Sequence, residues 1–234
     1  MSKTYPESAQ LVRAGKSYEG RQILGIRINT DTQNVKPVMF IESGIHAREW
    51  ITPATTTYFI NQLLTSSDPE IQALKDNYDW HIFPTVNPDG YHYSFNWDRM
   101  WRKTRSKSSP RCYGADPNRN WDYNWLNYGA SNNPCDYQTY GGSKPFSEIE
   151  TKSLSEYISG LGKILGYIAF HADAQMLLLP MDWVRHSLGV PLVFTYELRG
   201  VYFYWPPSKI YQQGDEVTQM MVGLAKEADN LGYR

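Results

Sequence analysis

Long apolar runs are missing from this sequence. The longest, such as ILGYIAF (164–170), fall far short of the roughly 20 residues that a membrane-spanning helix needs, so a soluble chain with no membrane partner is expected. An excess of either charge is missing too: 23 basic residues against 24 acidic argue against general affinity for nucleic acid or anionic lipid. No Gly/Ser linker, low-complexity tract, internal repeat or shift in composition divides the 234 residues, which leaves one domain over 1–234, without a pro-domain, as the expectation. Cysteine is scarce. Cys112 and Cys135 stand in loop-like sequence, neither in a metal-type C-x-x-C pair. A disulfide between them would close a loop of roughly twenty residues, stabilise the fold by about 3 kcal/mol and point to an oxidising compartment. Two free thiols in a cytosolic chain are the alternative. The opening MSKTYPESAQ lacks an apolar signal core and no N-x-S/T sequon occurs, so the start reads as that of an incomplete gene product.

With 41% hydrophobic and 15% aromatic residues, the chain can bury a sizeable core. GRQILGIRI (20–28) and KPVMFIES (36–43) read as strands, and TPATTTYFINQLL (52–64) as a helix capped by Thr52 with Pro53 in its first position. A second short helix is expected from Asp68-Pro69. WHIFPTV (80–86) is the next strand, ended by NPDG (87–90) as a turn. From 91 to about 144 the sequence is rich in Asn, Gly, Tyr and Trp with little periodicity, which is unusual inside a compact domain unless it builds a site. Ser147 and Glu150 form a capping box for a helix that places Ile149, Leu154 and Ile158 on one face and stops at Gly160. ILGYIAF and PLVFTY (191–196) are continuous apolar runs, the pattern of parallel strands covered on both faces. The last helix starts near Asp215 and turns Val217, Met221, Leu224 and Ala228 to the core. Strands alternating with helices imply an α/β fold.

In such a sheet, functional groups collect just beyond the carboxyl ends of the strands. His46 and Glu49 of GIHAREW (44–50) follow one strand, His171 directly follows ILGYIAF, and Glu197 directly follows PLVFTY. Zinc that does chemistry keeps three protein ligands and an open position, and two imidazoles with one carboxylate form a recurring set. His46, Glu49 and His171 fit it, and Glu197 fits the general base. An H-x-x-E pair alone is a weak signal; the strand-end placement of His171 and Glu197 gives it weight. His81, His92 and His186 lack this company and read as structural or exposed. The basic run RMWRKTRSKSSPR (99–111) reads as a solvated loop or as a receptor for an anionic group.

KSYEGR, GIHAREWITPAT, NPDGY, RMWRKTRS, PNRNWD, the Pro-Cys of NNPC and FTYELR occur here in the order found in zinc metallocarboxypeptidases of the pancreatic A/B type, which the sequence resembles from about Lys16 to Arg199. That resemblance implies a mixed, largely parallel central sheet with helices on both faces, though incomplete, and an exopeptidase that removes C-terminal residues from peptide or protein substrates. It implies one Zn2+ held by His46, Glu49 and His171, with Glu197 as base or proton shuttle. Arg102 then polarises the scissile carbonyl, Asn118 and Arg119 receive the terminal carboxylate, and Arg48 and Arg99 line more distant subsites. Arg48 reads equally well as an exposed arginine at a helix start. A planar guanidinium suits a carboxylate because it donates two parallel hydrogen bonds. The resemblance also implies a Cys112–Cys135 disulfide, a secreted, extracellular location and a monomer.

Three departures stand out. The family's first helix ahead of YP has no counterpart. HADAQ (171–175) carries Ala172 and Asp173 where the family has Ser and an aromatic residue; an added carboxylate favours the metal and repels a carboxylate-bearing substrate, unless it turns outward. From His171 to Glu197 is only 26 positions, where the family has several tens more, including the mobile tyrosine and the pocket floor. None of Tyr196, Tyr202 and Tyr204 is an evident substitute for that tyrosine. The crossover from 181 to 190 is expected as a tight loop without a full covering helix. A crippled peptidase is one reading; a non-catalytic zinc-binding relative that binds peptides is the other.

Overall fold

The computed structural model describes residues 1–31, 33–178 and 182–233. Seven strands form one sheet: β1 (Ala9–Lys16), β2 (Gln22–Ile28), β3 (Val38–Ser43), β4 (Asp79–Phe83), β5 (Ile164–Ala172), β6 (Met176–Leu178) and β7 (Leu192–Leu198). Their order is β1-β2-β4-β3-β5-β7-β6. The four central strands β4, β3, β5 and β7 run parallel, while β1, β2 and β6 pair antiparallel at the two sides. This is the mixed, largely parallel sheet that was expected.

Burial explains the sequence pattern. Every residue of β3 and β5 is buried, since helices cover both faces and no position needs to be polar. Side chains alternate between the two layers. Met39, Ile41, Ile168 and Phe170 face the layer that holds Phe59 and Leu63 of α1 (Ile51–Thr65) and Val217 and Met221 of α6 (Ile210–Asn230). Phe40, Tyr167 and Ala169 face the opposite layer, with Leu154 and Ile158 of α4 (Ile149–Ser159) and Val184 of α5 (Asp182–Leu188). There Phe40 stacks between Phe83 and Tyr167, with ring centroids 5.6 and 5.2 Å away. The remaining helices are α2 (Pro69–Asn77), capped by Asp68 as expected, and α3 (Pro88–Asn96).

Several local readings are corrected. Thr52 lies inside α1 rather than capping it; its hydroxyl accepts from Gly44 N–H and donates to the Glu49 carbonyl, tying the helix start to the segment before it. NPDG opens α3 instead of ending in a turn, because the Asn87 side chain caps the helix at Gly90 N–H. α6 begins at Ile210, ahead of Asp215. β1 and β6 were not anticipated. β1 is a half-exposed strand with many polar residues, and β6 is only three residues long, so neither carries a strong period. In the crossover, Met181 lies outside the described residues, and Asp182–Leu188 forms a short helix where a loop was expected.

The capping box is also absent. Glu148 holds the N-cap position of α4 without a side-chain cap bond, and Ile149 is exposed rather than in the core. Glu150 is buried instead. One carboxylate oxygen accepts Tyr18 N–H at 3.0 Å and the other has no partner, so burial pushes this carboxyl up to about 7. The folded state then holds a proton that the unfolded chain releases near its ordinary value of 4.5, so stability present below that pH is lost as the pH rises through about 7. Glu150→Gln is expected to raise the unfolding temperature at pH 8, by up to about 3 kcal/mol in stability, and to change nothing at pH 4. Thermal unfolding of both proteins at the two pH values checks this; an equal gain at both would refute it.

Candidate metal and catalytic site

The carboxyl ends of the parallel strands build the site. β3 ends at Ser43, and Gly44 turns the chain with φ +63°, its Cα region so close to Pro84 and Thr85 that a side chain there would be strained. The next residues form tight turns, not a helix. Glu49 N–H bonds back to the His46 carbonyl, and Ala47 N–H bonds to the Arg102 carbonyl. The turn sets His46 Nδ1 2.8 Å from Glu49 Oε1. His171, near the end of β5, places its Nδ1 3.1 Å from His46 Nδ1 and 3.3 Å from Glu49 Oε2. All three side chains are buried. Two imidazole nitrogens and a carboxylate thus converge with separations of about 3 Å, the edges of a coordination polyhedron with bonds of about 2 Å, and this donor set fits zinc.

Asp116, a residue that the sequence reading passed over, supports this cluster. It is fully buried. With His46 Nε2–H donating to its Oδ1 at 3.0 Å, Nδ1 is the ring nitrogen turned to Glu49 and His171. Arg102 donates to Oδ2 from Nη2 at 2.9 Å, and Asn118 N–H donates to Oδ1 at 2.9 Å, capping the 3-10 turn Pro117–Arg119. Burial opposes the charge on Asp116, but Arg102 and His46 outweigh it and hold the carboxyl well below the usual range. Glu49 is likewise held low by the two imidazoles against its burial. The one signal for Asp116 was its place directly before PNRN.

Arg102 reaches the cluster by its third nitrogen, with Nη1 3.3 Å from His46 Nδ1 and 3.9 Å from Glu49 Oε1. Glu197 pairs in register with His171 on the neighbouring parallel strand, so the two side chains leave the same face about 4.8 Å apart at the backbone. Burial raises the Glu197 carboxyl above its ordinary value, opposed mainly by His171. It also borders a cavity of about 320 Å³ formed with Gln175, Met176 and Arg199.

The remaining expected residues separate into two pairs. Asn118 and Arg119 follow Asp116 and line a cavity of about 200 Å³ with Trp121, Tyr123, Trp125 and Tyr128. Arg119 donates from Nε to the Gly129 carbonyl and from Nη1 to the Asn118 carbonyl. Arg48 and Arg99 engage the segment after Glu197: the Arg48 guanidinium lies 4.0 Å over the Phe203 ring, and Arg99 donates to the Phe203 carbonyl at 2.7 Å. Asp173 turns the same way, accepting from Phe203 N–H at 3.0 Å. Of the tyrosines, Tyr196 donates to Glu216, Tyr204 lies under Arg99, and Tyr202 is exposed. Cys112 and Cys135 are disulfide-bonded, their Cα atoms 5.2 Å apart, in the irregular stretch that carries Asn118.

Comparison with known proteins identifies the family. The sequence profile described as zinc carboxypeptidase matches residues 1–187. A zinc carboxypeptidase of Simulium vittatum is 41% identical over 286 residues, covering 98% of this chain and 92% of the relative. That alignment is longer than the chain, so several tens of the relative's residues have no counterpart here. Carboxypeptidase A1 of Sus scrofa is 40% identical over 182 residues, 76% of this chain but only 43% of its own length. The crystal structure of carboxypeptidase A from Helicoverpa armigera superposes with a TM-score of 0.84 at 28% identity, covering 99% of this chain and 71% of that one. A profile that spans most of the chain and a relative aligned along almost all of it show that the chain belongs to the zinc carboxypeptidase family, as a metallocarboxypeptidase whose cofactor is Zn2+.

Proposed function

We propose that His46, Glu49 and His171 hold the zinc ion and that Glu197 and Arg102 carry out removal of the C-terminal residue of peptides. The observation that supports this most directly is the convergence of the three donor side chains beside Glu197 on the adjacent strand. When bound, zinc supplies Lewis acidity toward water and a peptide carbonyl. Glu197, partly desolvated with a raised pKa, takes the proton of the attacking water and returns it to the leaving amine. Arg102 is fixed on one edge by Asp116 and presents Nη1 to the carbonyl oxygen as that oxygen gains charge. Arg119 and Asn118 receive the terminal carboxylate. Arg48 and Arg99 act on more distant residues only through the segment 200–204 that they hold.

The cavity next to Asn118 and Arg119 disfavours a cationic terminal residue. Its lining mixes polar Asn118, Arg119 and Asn124 with Trp121, Trp125 and Tyr128, and among the described residues no carboxylate lines it, so a terminal Lys or Arg side chain meets no counter-charge and faces Arg119. At the edge of the sheet β6 leaves Met176, which is in register with Glu197, and its neighbours Leu177 and Leu178 exposed, which keeps the site wet and slows turnover. We read the chain as a single catalytic domain, a monomer, secreted; the disulfide suits an oxidising compartment. Among the described residues, no helix is long and apolar enough to cross a membrane.

Four expectations follow from these assignments. His171→Ala should lose stoichiometric zinc, which metal analysis after gel filtration reads directly; undiminished zinc would sink the ligand set. Glu197→Gln should keep its zinc while kcat falls by roughly 10²–10⁴, and Arg102→Ala should lower kcat/KM about a hundredfold, close to 3 kcal/mol. A rate indifferent to Glu197→Gln would exclude it as the base. Blocked dipeptides ending in Phe should be cleaved at least about tenfold better than those ending in Lys, since Arg119 repels a cationic side chain and no carboxylate among the lining residues offsets it; the reverse order would overturn the cavity assignment.

A further inference from the structure

Three successive residues after His171 each make one contact, and the contacts run to three parts of the site. Ala172 N–H donates to Glu49 Oε2 at 3.2 Å, Asp173 Oδ2 accepts from Phe203 N–H at 3.0 Å, and Ala174 N–H approaches Glu197 Oε2 at 3.5 Å. The middle contact grips the segment that follows the base. In that segment Tyr202 and Phe203 have φ of +51° and +62°, a region costly for residues with side chains. Such a conformation persists only where the surroundings fix it.

The surroundings do so from two sides. From one, Arg99 donates to the Phe203 and Arg48 carbonyls, both at 2.7 Å, and its guanidinium lies 4.0 Å over Trp50 and 4.8 Å over Tyr204. Arg48 covers Phe203. From the other side comes Asp173: a Cβ at Gly200 would stand 2.6 Å from the Asp173 Cβ, so the start of the segment also rests on it. The segment therefore bridges the loop of the first two donors and the strand end of the third, and it begins three residues after Glu197.

We propose that Asp173 is a positioning residue for Glu197. By accepting the Phe203 amide, its carboxylate locks the segment after the base to the strand that carries His171, and so fixes the base relative to the three donors. Its oxygen acts as an anchor, and its charge is not what the site uses. This rests on the assignment of Glu197 as the base.

The test compares the zinc-loaded wild type with Asp173→Ala, Asp173→Asn and Gly200→Ala, reading kcat and KM on a blocked dipeptide, zinc content, and hydrogen exchange of the Phe203 amide. Asn keeps an acceptor oxygen; Ala does not. Asp173→Ala is expected to lower kcat by about tenfold or more, since misplacement of a reacting group by about an ångström has that order of effect. KM should stay within about twofold and zinc content should not change, while the Phe203 amide exchanges faster. Asp173→Asn should restore both kcat and protection. Gly200→Ala, which forces the same contact apart from the other side, should reproduce the loss of kcat. Wild-type kcat in Asp173→Ala, or an Asp173→Asn variant as slow as it, would overturn the proposal. Were the wild type to hydrolyse nothing, the activity reading would fall and exchange alone would decide: faster exchange in Asp173→Ala supports the anchor, unchanged exchange removes it.

Discussion

The site depends on one buried carboxylate. Asp116 is fully enclosed, yet it remains charged because every direction it faces offers a donor: the His46 ring, the Arg102 guanidinium and the backbone of the turn Pro117–Arg119. Enclosing a charge is costly unless it is paired and hydrogen-bonded, so the arrangement is self-enforcing: removing any one partner would leave the others around an uncompensated charge. From that one group follow the tautomer of His46, the direction of Arg102 and the position of Asn118 and Arg119. A metal-competent imidazole, the guanidinium beside it and the turn that carries Asn118 and Arg119 thus share a single reference point.

The sheet supplies the second constraint. His46 and Glu49 come after β3, while His171 and Glu197 stand near the ends of β5 and β7, three neighbouring parallel strands. Register is firmly set where both faces are buried, because a one-residue slip would exchange the two layers of side chains. Phe40 against Phe83 and Tyr167 on one side, and Met39 and Ile41 against α1 and α6 on the other, leave no freedom for such a slip. The placing of His171 beside Glu197 is therefore inherited from core packing rather than from the loops around them.

This division explains what could be read from the sequence. The central strands were legible since continuous apolar runs have one structural meaning at that length, and the residues that follow them were legible as a site since strand ends in an α/β sheet converge. Asp116 was not, because an acidic residue in an aperiodic loop looks like any solvated one until the fold brings His46 and Arg102 to it, from 70 and 14 positions away. Glu150 misled for the opposite reason: its spacing from Ser147 matched a local capping pattern, while the fold used its carboxylate to hold Tyr18 N–H across the molecule. Arg48 and Arg99 carried a basic signature, but the partner that occupies them, Phe203, comes from a segment whose positive-φ backbone no local rule predicted. β6 and α5 escaped notice because three residues and seven are too few to show a period.

The same division bears on the connection between His171 and Glu197, only 26 positions long. A connection that short could disturb either the metal-competent side chains or the entrance to the site. The donors are protected, because β5 and β7 still pair directly from Gly166 to Ala172, which fixes His171 beside Glu197 whatever joins the strands. The covering face is also kept: Val184 of α5 is fully buried, Trp183 packs on Trp121 and Phe146, and His186 stacks on Tyr123 with ring centroids 4.4 Å apart. Through these rings α5 supports the wall next to Asn118 and Arg119. What remains thin is the outer edge, where β6 is exposed and its Met176 stands in register with Glu197. The short connection therefore weighs on how closely the site is covered and leaves His46, Glu49, His171 and Glu197 arranged together.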